Sequence, residues 1–142
     1  MSILVVDSSV VVKWFVLEEH SVEACRWQTG PDEFHVPAVF LDIEVANILW
    51  KKLQRNLLTL PEASKIVAEL PLLPFVRHDE SQLLAAAFDI AVTHRRSVYD
   101  SLYLALAERL DGQMLTADQR LVNALAGTPL AHRVRHVSVS PP

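Results

Sequence analysis

Short runs of consecutive apolar residues alternate along the chain with longer segments in which apolar residues recur every three or four positions. The continuous run from Ile3 to Val6 is typical of a strand that is buried on both faces of a parallel sheet. Further short strands are predicted at 34–36, 75–78, 113–116 and 135–139. Because strands and helices alternate, we predict an α/β fold with three α/β/α layers around a parallel sheet of four to five strands.

Seven helices are predicted between and after these strands, at 10–15, 18–28, 38–55, 60–70, 80–95, 99–107 and 119–126. Ser8 or Ser9 is expected to cap the first helix, and Gly30-Pro31-Asp32 to separate the second helix from the second strand. The fourth helix follows Thr59-Leu60-Pro61-Glu62, which has the spacing of a capping box. No internal repeat or linker divides the chain, so residues 1–142 are expected to form one domain.

The composition argues against three classes of protein: those that coat nucleic acid, those held by disulfides and those that span a membrane. The chain has 142 residues, of which 51% are hydrophobic, and its net charge of −4 argues against a protein that coats nucleic acid. The lone Cys25 cannot form an intrachain disulfide. Neither a membrane span nor a basic secretory leader is evident, so we expect a cytoplasmic protein without a membrane partner.

Four acidic residues stand next to apolar segments in positions that the predicted topology brings together. Asp7 and Asp118 follow two strands, whereas Glu44 and Asp100 lie in early turns of two helices. Right-handed β-α-β connections place strand ends and the following helix starts at one edge of the sheet. We therefore expect the four carboxylates to converge on one cleft, where they would act together as the catalytic and metal-binding groups.

Such a cluster requires a positive charge. Two carboxylates about 4 Å apart repel by roughly 4 kcal/mol at an effective dielectric constant of 20. Oxygen ligands favour Mg²⁺ or Mn²⁺, and the six histidines show no paired spacing typical of a zinc site. The chemistry that suits this site is hydrolysis of a phosphodiester by water, with Ser8, Ser9 and Thr116 orienting the carboxylates or the water.

The segments that carry these acids resemble the motifs of the PIN-domain ribonucleases, and most closely those of VapC-type toxins. They are Ile3-Leu4-Val5-Val6-Asp7-Ser8-Ser9, Glu44-Val45-Ala46-Asn47, Tyr99-Asp100-Ser101-Leu102-Tyr103-Leu104-Ala105 and Leu115-Thr116-Ala117-Asp118. The resemblance implies a PIN-like fold and an endoribonuclease that uses Mg²⁺ or Mn²⁺. In such a family the acids Asp7, Glu44, Asp100 and Asp118 hold the metal, and Thr116 matches a frequent hydroxyl position.

The same resemblance implies partners. A VapC-type toxin cleaves RNA and is held in check by a cognate VapB-type antitoxin, and such chains form homodimers or larger complexes with the antitoxin. We expect the antitoxin to cover apolar surface near the second and third helices, with Trp14, Trp27 and Trp50 as candidate anchors. Candidate phosphate contacts of the RNA are the basic residues Lys13, Lys51, Lys52, Arg55, Arg95 and Arg96.

Other functions stay open at this point. A PIN nuclease of RNA processing without a toxic role would have the same acids. A receiver-like module would need a second acid beside Asp7, where Ser8 stands, and a haloacid-dehalogenase-type phosphatase would need an acid at Ser9. A non-catalytic α/β binding module leaves the four acids unexplained. The three glycines are too far apart for a phosphate loop, and no Gly-x-Ser-x-Gly sequence occurs.

Overall fold

The computed structural model describes residues 3–30 and 33–141. Within these ranges five parallel strands form one sheet in the order β3-β2-β1-β4-β5. The strands are β1 (Ile3–Val6), β2 (Glu33–Pro37), β3 (Val76–His78), β4 (Gln113–Thr116) and β5 (Val134–His136). The predicted fold class is therefore confirmed, with five strands. Pro31 and Asp32 of the predicted break lie outside the described residues.

Seven α-helices connect or follow the strands in the same ranges. They are α1 (Ser8–Phe15), α2 (Ser21–Gln28), α3 (Phe40–Gln54), α4 (Leu60–Glu69), α5 (Leu84–His94), α6 (Val98–Arg109) and α7 (Gln119–Leu125). Helix α6 lies against β1, β2 and β4 and packs on α5, whereas α1 contacts β4 and packs on α2 and α3. The result is the expected three-layer arrangement of helices, sheet and helices. No helix of the described ranges combines the length and apolar character that a membrane span requires.

Five of the seven helix starts differ from the prediction by one to four residues, and two of these differences have a clear local cause. Helix α1 begins at Ser8 because Asp7 itself is the N-cap, so the prediction that Ser8 or Ser9 caps it was wrong. The segment predicted as one helix from residue 80 begins with a 3₁₀ turn, Glu80–Leu83, and continues as α5. The predicted capping box is confirmed: the hydroxyl of Thr59 accepts from the N–H of Glu62, whose carboxylate accepts from the N–H of Thr59.

The last three residues of β1 are fully buried, as expected for the central strand of the sheet. Leu4, Val5 and Val6 have no exposed surface, because neighbouring strands and both helix layers cover them. The chain approaches β1 closely at Gly112, just before β4, where a Cβ atom would lie 2.5 Å from the carbonyl oxygen of Ile3. A glycine is therefore required where β4 begins beside β1.

The strand order reverses between β1 and β4. From β1 the chain proceeds outward to β2 and β3, and from β4 it proceeds to β5 on the other side. In open parallel sheets, such a reversal leaves a crevice beyond the carboxyl ends of the two central strands, and ligands bind there. Asp7 follows β1 and Thr116 ends β4, so both lie at this crevice.

Candidate active site

Asp7 is held at the crevice by hydrogen bonds to both of its carboxylate oxygens. Its Oδ1 accepts from the hydroxyl of Ser9 at 2.6 Å and from the N–H of Val10 at 3.2 Å. Its Oδ2 accepts from the hydroxyl of Thr116 at 2.6 Å. These contacts, together with burial of all but 6% of its surface, fix the orientation of the carboxylate.

The environment of Asp7 disfavours a free negative charge. Burial is the largest effect and raises the pKa of Asp7 from 3.8 to about 7, and the nearby charge of Glu44 adds to the rise. Hydrogen bonds from Ser9, Thr116 and Val10 act in the opposite direction but do not outweigh burial. A carboxyl group in this condition is fully ionised at neutral pH only when a positive charge lies close to it.

The turn after β4 is tied to the start of α1. The hydroxyl of Thr116, which donates to Asp7, accepts from the N–H of Asp118 at 3.1 Å. The hydroxyl of Ser9 accepts from the N–H of Ala117 at 3.0 Å. Asp118 caps α7, since its Oδ1 accepts from the N–H groups of the second and third residues of the helix. Asp7 and Asp118 are thus positioned by one hydrogen-bond network.

Glu44 enters from α3 and is fixed through a single oxygen. Its Oε1 accepts from the hydroxyl of Ser8 at 2.6 Å and from the phenol of Tyr103, on α6, at 2.7 Å. Burial and the charge of Glu44 raise the pKa of Tyr103 well above 10, so the phenol keeps its proton and remains a donor. Among the described residues no hydrogen bond to Oε2 of Glu44 is formed, so this oxygen is available to a ligand.

Asp100 lies in the first turn of α6, as predicted. Its N–H donates to the hydroxyl of Ser97, the N-cap, at 3.0 Å. Burial raises the pKa of Asp100, and the charges of Asp118 and Glu44 raise it further, while Arg96 opposes the rise. The charge of Glu44 thus raises the pKa of both Asp7 and Asp100, and the charge of Asp118 raises that of Asp100.

The carboxylates share one edge of the sheet without forming a closed ligand set. In the parts of the chain that the structure describes, no three His, Cys, Asp or Glu side chains lie close enough to hold one metal ion. The hydroxyls of Ser9 and Thr116 connect Asp7 to the turn that carries Asp118. Ser8 and Tyr103 hold Glu44, and Asp100 is related to the other acids through their charges alone. Tyr103 was missed in the sequence, where it looked like one more apolar residue of a buried helix.

The predicted phosphate contacts divide into two groups. Lys13 and Lys52 are engaged elsewhere, because both pair with Glu18, at 3.0 and 2.6 Å. Burial works against the ionisation of Glu18, but the hydrogen bonds and charges of the two lysines hold its pKa below 4.5. By contrast Lys51 is exposed and makes no ion pair within the described residues, and Arg96 lies near Asp100.

Comparison with known proteins adds a family assignment. The PIN domain family model matches residues 4–126. The ribonuclease VapC3 of Pyrobaculum aerophilum is 40% identical over 125 residues, which are 83% of this chain and 91% of the relative. A ribonuclease VapC3 of Mycobacterium tuberculosis is 34% identical over 131 residues, 92% of this chain and 91% of the relative.

Two solved structures share the fold. A protein of Pyrobaculum aerophilum superposes with a TM-score of 0.70 at 19% identity, over 96% of this chain and 85% of its own. A toxin–antitoxin complex from Klebsiella pneumoniae contains a chain that superposes with a TM-score of 0.62 at 15% identity, over 94% of this chain and 97% of its own. Both similarities extend over nearly the whole described sheet and its helices.

Proposed function

This chain belongs to the PIN-domain family, alongside the VapC ribonucleases, and from this premise we propose that it is a metal-dependent endoribonuclease that acts as the toxin of a toxin–antitoxin pair. The observation that carries the proposal is the state of Asp7. Asp7 is a buried carboxyl group with a pKa near 7, and Ser9 and Thr116 orient it at the crevice where the strand order reverses. These properties are typical of a carboxylate that binds a cation. The relatives named as ribonucleases support RNA as the substrate.

The donor set suits a hard divalent cation. The groups proposed to hold Mg²⁺ or Mn²⁺ are the carboxylates of Asp7, Glu44, Asp100 and Asp118, and oxygen donors of this kind select these ions over zinc. Because no three of the described acidic side chains lie within reach of one ion, the proposal requires their side chains to move closer together when the ion binds. The raised pKa values of Asp7 and Asp100 support the assignment, because a cation would relieve the unfavourable charge. When bound, such an ion lowers the pKa of a water molecule and offsets negative charge on the scissile phosphate.

The remaining side chains keep the carboxylates in position. Ser9 and Thr116 hold the two oxygens of Asp7, while Ser8 and Tyr103 hold one oxygen of Glu44 and leave the other free. Thr116 also supports the turn that carries Asp118. Hydrogen-bonded carboxylates lose less conformational freedom when they bind a cation or orient a water molecule, so this support is part of the proposed mechanism.

The direct test is RNA cleavage by the purified chain. We expect internal cuts in single-stranded RNA when Mn²⁺ or Mg²⁺ is added, and no cuts when a chelator removes divalent ions. Restoring the ion to the chelated sample should restore cleavage, which separates metal dependence from loss of protein. Cleavage that continues in excess chelator would contradict the metal-dependent mechanism, and a chain that cuts no RNA with either ion would contradict the nuclease.

Removing one hydroxyl tests the support of Glu44. We expect Tyr103→Phe to reduce kcat/KM about tenfold and to raise the Mn²⁺ concentration needed for half-maximal cleavage, since Glu44 keeps only the bond from Ser8. The control is Phe88→Leu, which changes an exposed aromatic residue on α5 and should leave the Mn²⁺ requirement unchanged. An unchanged Mn²⁺ requirement in Tyr103→Phe would show that the phenol does not support Glu44 and that Tyr103 contributes only to packing.

The antitoxin is proposed to cover apolar surface near α2 and α3, and the exposed apolar residues that support this proposal lie on α3 and the adjacent α4. Trp50, Leu60 and Val67 are 55%, 67% and 44% exposed, and they line a cavity of about 250 Å³ between α3 and α4. Trp27 cannot serve as an anchor, because it is 1% exposed and its indole donates to the carbonyl of Val137.

A basic side chain of the antitoxin would be attracted to Asp7, Glu44 and Asp100, where it would compete with the metal ion. The Klebsiella pneumoniae complex is the structural precedent for a chain of this fold bound to an antitoxin. The chain is further proposed to form a homodimer, or a larger assembly with its antitoxin, on the strength of the family alone.

A further inference from the structure

A cavity of about 510 Å³ opens beside the candidate active site and shares two residues with it. Ser8 and Glu44 form the wall nearest the carboxylates, and α3 and the start of α6 supply the rest of the lining. Its volume is in the range of pockets that bind small organic groups. An RNA strand whose phosphate lies at the carboxylates would therefore have its adjacent nucleotide at the mouth of this cavity.

Stacked aromatic rings lead from the active site to this mouth. Tyr99 and Phe40 lie with their ring centroids 5.5 Å apart and their planes within 9° of parallel. Phe40 also contacts Tyr103, whose phenol holds Glu44. Tyr99 is 62% exposed, so the stack presents an aromatic surface to the solvent. Unpaired bases of RNA bind to surfaces of this kind, since every base has a flat π-face.

Polar residues on α3 complement this surface. Asn47 and Lys51 follow Glu44 at the i+3 and i+7 positions, so all three lie on one face of the helix and line the cavity. Asn47 is exposed and carries both a donor and an acceptor, which a base edge requires. Lys51 supplies a positive charge a turn farther along, where the next phosphate of the strand would lie.

We propose that this cavity is a nucleobase subsite, in which an unpaired base next to the scissile phosphate stacks on Tyr99 while Asn47 contacts its edge. The inference rests on the proposed ribonuclease function and adds the residues that select the cleavage site. Lys51 contributes a phosphate contact that depends on salt but not on sequence. An aromatic face, an amide and a lysine arranged along one path from the carboxylates suit a nucleotide better than they suit an apolar peptide.

The test compares RNA molecules that carry or lack the base. The substrate is a short single-stranded RNA that the wild-type chain cuts at one mapped position, and derivatives have an abasic ribose on one side of the cut or the other. We expect Tyr99→Leu to reduce kcat/KM on the intact RNA about tenfold. One abasic RNA should show the same loss with the wild-type chain and no further loss with Tyr99→Leu.

Two controls address folding and the general loss of aromatic surface. The melting temperature of Tyr99→Leu should equal that of the wild type, and Phe88→Leu removes an aromatic residue on α5 that is 59% exposed, with no effect on cleavage expected. Equal losses by Tyr99→Leu on intact and both abasic RNAs, or no loss on any of them, would overturn the subsite. Unchanged cleavage together with weakened antitoxin binding would assign the cavity to the antitoxin instead.

Failure of the subsite and failure of the ribonuclease function can be told apart. A wild-type chain that cuts RNA while Tyr99→Leu behaves identically contradicts only the subsite. A wild-type chain that cuts no RNA contradicts the ribonuclease function, and the subsite with it.

Discussion

Replacing Asp7 by Asn is expected to reduce RNA cleavage more than about a hundredfold and also to stabilise the metal-free protein at pH 8. Cleavage is lost because the variant lacks the charge that is proposed to hold the cation, and loss of mere supporting bonds already costs about 10- to 100-fold. Stability rises because the neutral amide resembles the protonated carboxyl group that the buried site prefers. The same residue thus favours activity and opposes stability.

The sign of the stability effect follows from the two pKa values of Asp7. Unfolded, the group titrates near 3.8, whereas burial raises its pKa to about 7 in the folded chain. The energetic penalty of the charge is absent below pH 3.8, develops as the pH rises from 3.8 to 7, and is complete above pH 7. The difference between these two pKa values corresponds to roughly 4 kcal/mol, which is an upper limit because the amide does not reproduce every hydrogen bond.

The measurement is the free energy of unfolding in chelator at pH 4 and pH 8. The variant should exceed the wild type at pH 8 and differ little at pH 4, and Mn²⁺ should raise the melting temperature of the wild type alone. Asp89→Asn, an exposed acid on α5, is the matched control and should change neither stability nor cleavage. A stability difference that is the same at both pH values would show that the charge of Asp7 is not the cause.

Expression of the intact chain alone in a bacterial host is expected to arrest growth. Co-expression of the neighbouring gene, as the source of the antitoxin, should relieve the arrest, and Asp7→Asn should remove toxicity without any partner. The effect should be large, because one active nuclease molecule destroys many RNA molecules. The readout is colony count after induction. Normal growth on expression of the intact chain alone would indicate a PIN nuclease of RNA processing instead.

A surface variant separates toxicity from recognition by the antitoxin. We expect Trp50→Glu to remain toxic while relief by the neighbouring gene is lost, since a charge would be placed in the apolar cavity between α3 and α4. Phe88→Glu, with a similarly exposed aromatic residue on α5, should be both toxic and relieved. Relief of both variants alike would place the antitoxin on another surface.

Local sequence patterns were sufficient for the strands and for the position of the acids. Apolar runs such as Ile3 to Val6 have few alternatives to a buried parallel strand, and Asp7 and Asp118 follow such runs. Helix caps were less certain, because Asp7, Ser8 and Ser9 are all good capping residues and only the backbone geometry selects Asp7. A residue that ends a strand can therefore serve the site and begin a helix as well.

Contacts between distant segments were beyond the reach of the sequence. The residues around Tyr103 do not indicate that its phenol donates to Glu44, which lies 59 residues earlier in the chain. The two residues lie on separate helices, so the contact can be predicted only when the packing of these helices is known. The ion pair between Lys52 and Glu18 also joins distant segments and could not be predicted. It occupies Lys52, a candidate RNA contact predicted from the sequence. The sequence spacing of His35 and His78 does not predict a contact, yet Nδ1 of His35 and Nε2 of His78 lie 2.8 Å apart on neighbouring strands.

The pairing of β1 with β4 determines when the candidate active site is completed during synthesis. Asp7 and Thr116, which meet at the switch point, are 109 residues apart in the chain. A ribosome takes roughly 5 to 20 s to add that many residues. Until β4 and the turn after it have emerged, the nascent chain lacks both a neighbour for one side of β1 and the carboxylate of Asp118. If the chain is the toxin proposed above, an antitoxin that is translated before it has several seconds in which to bind a chain whose active site is still incomplete.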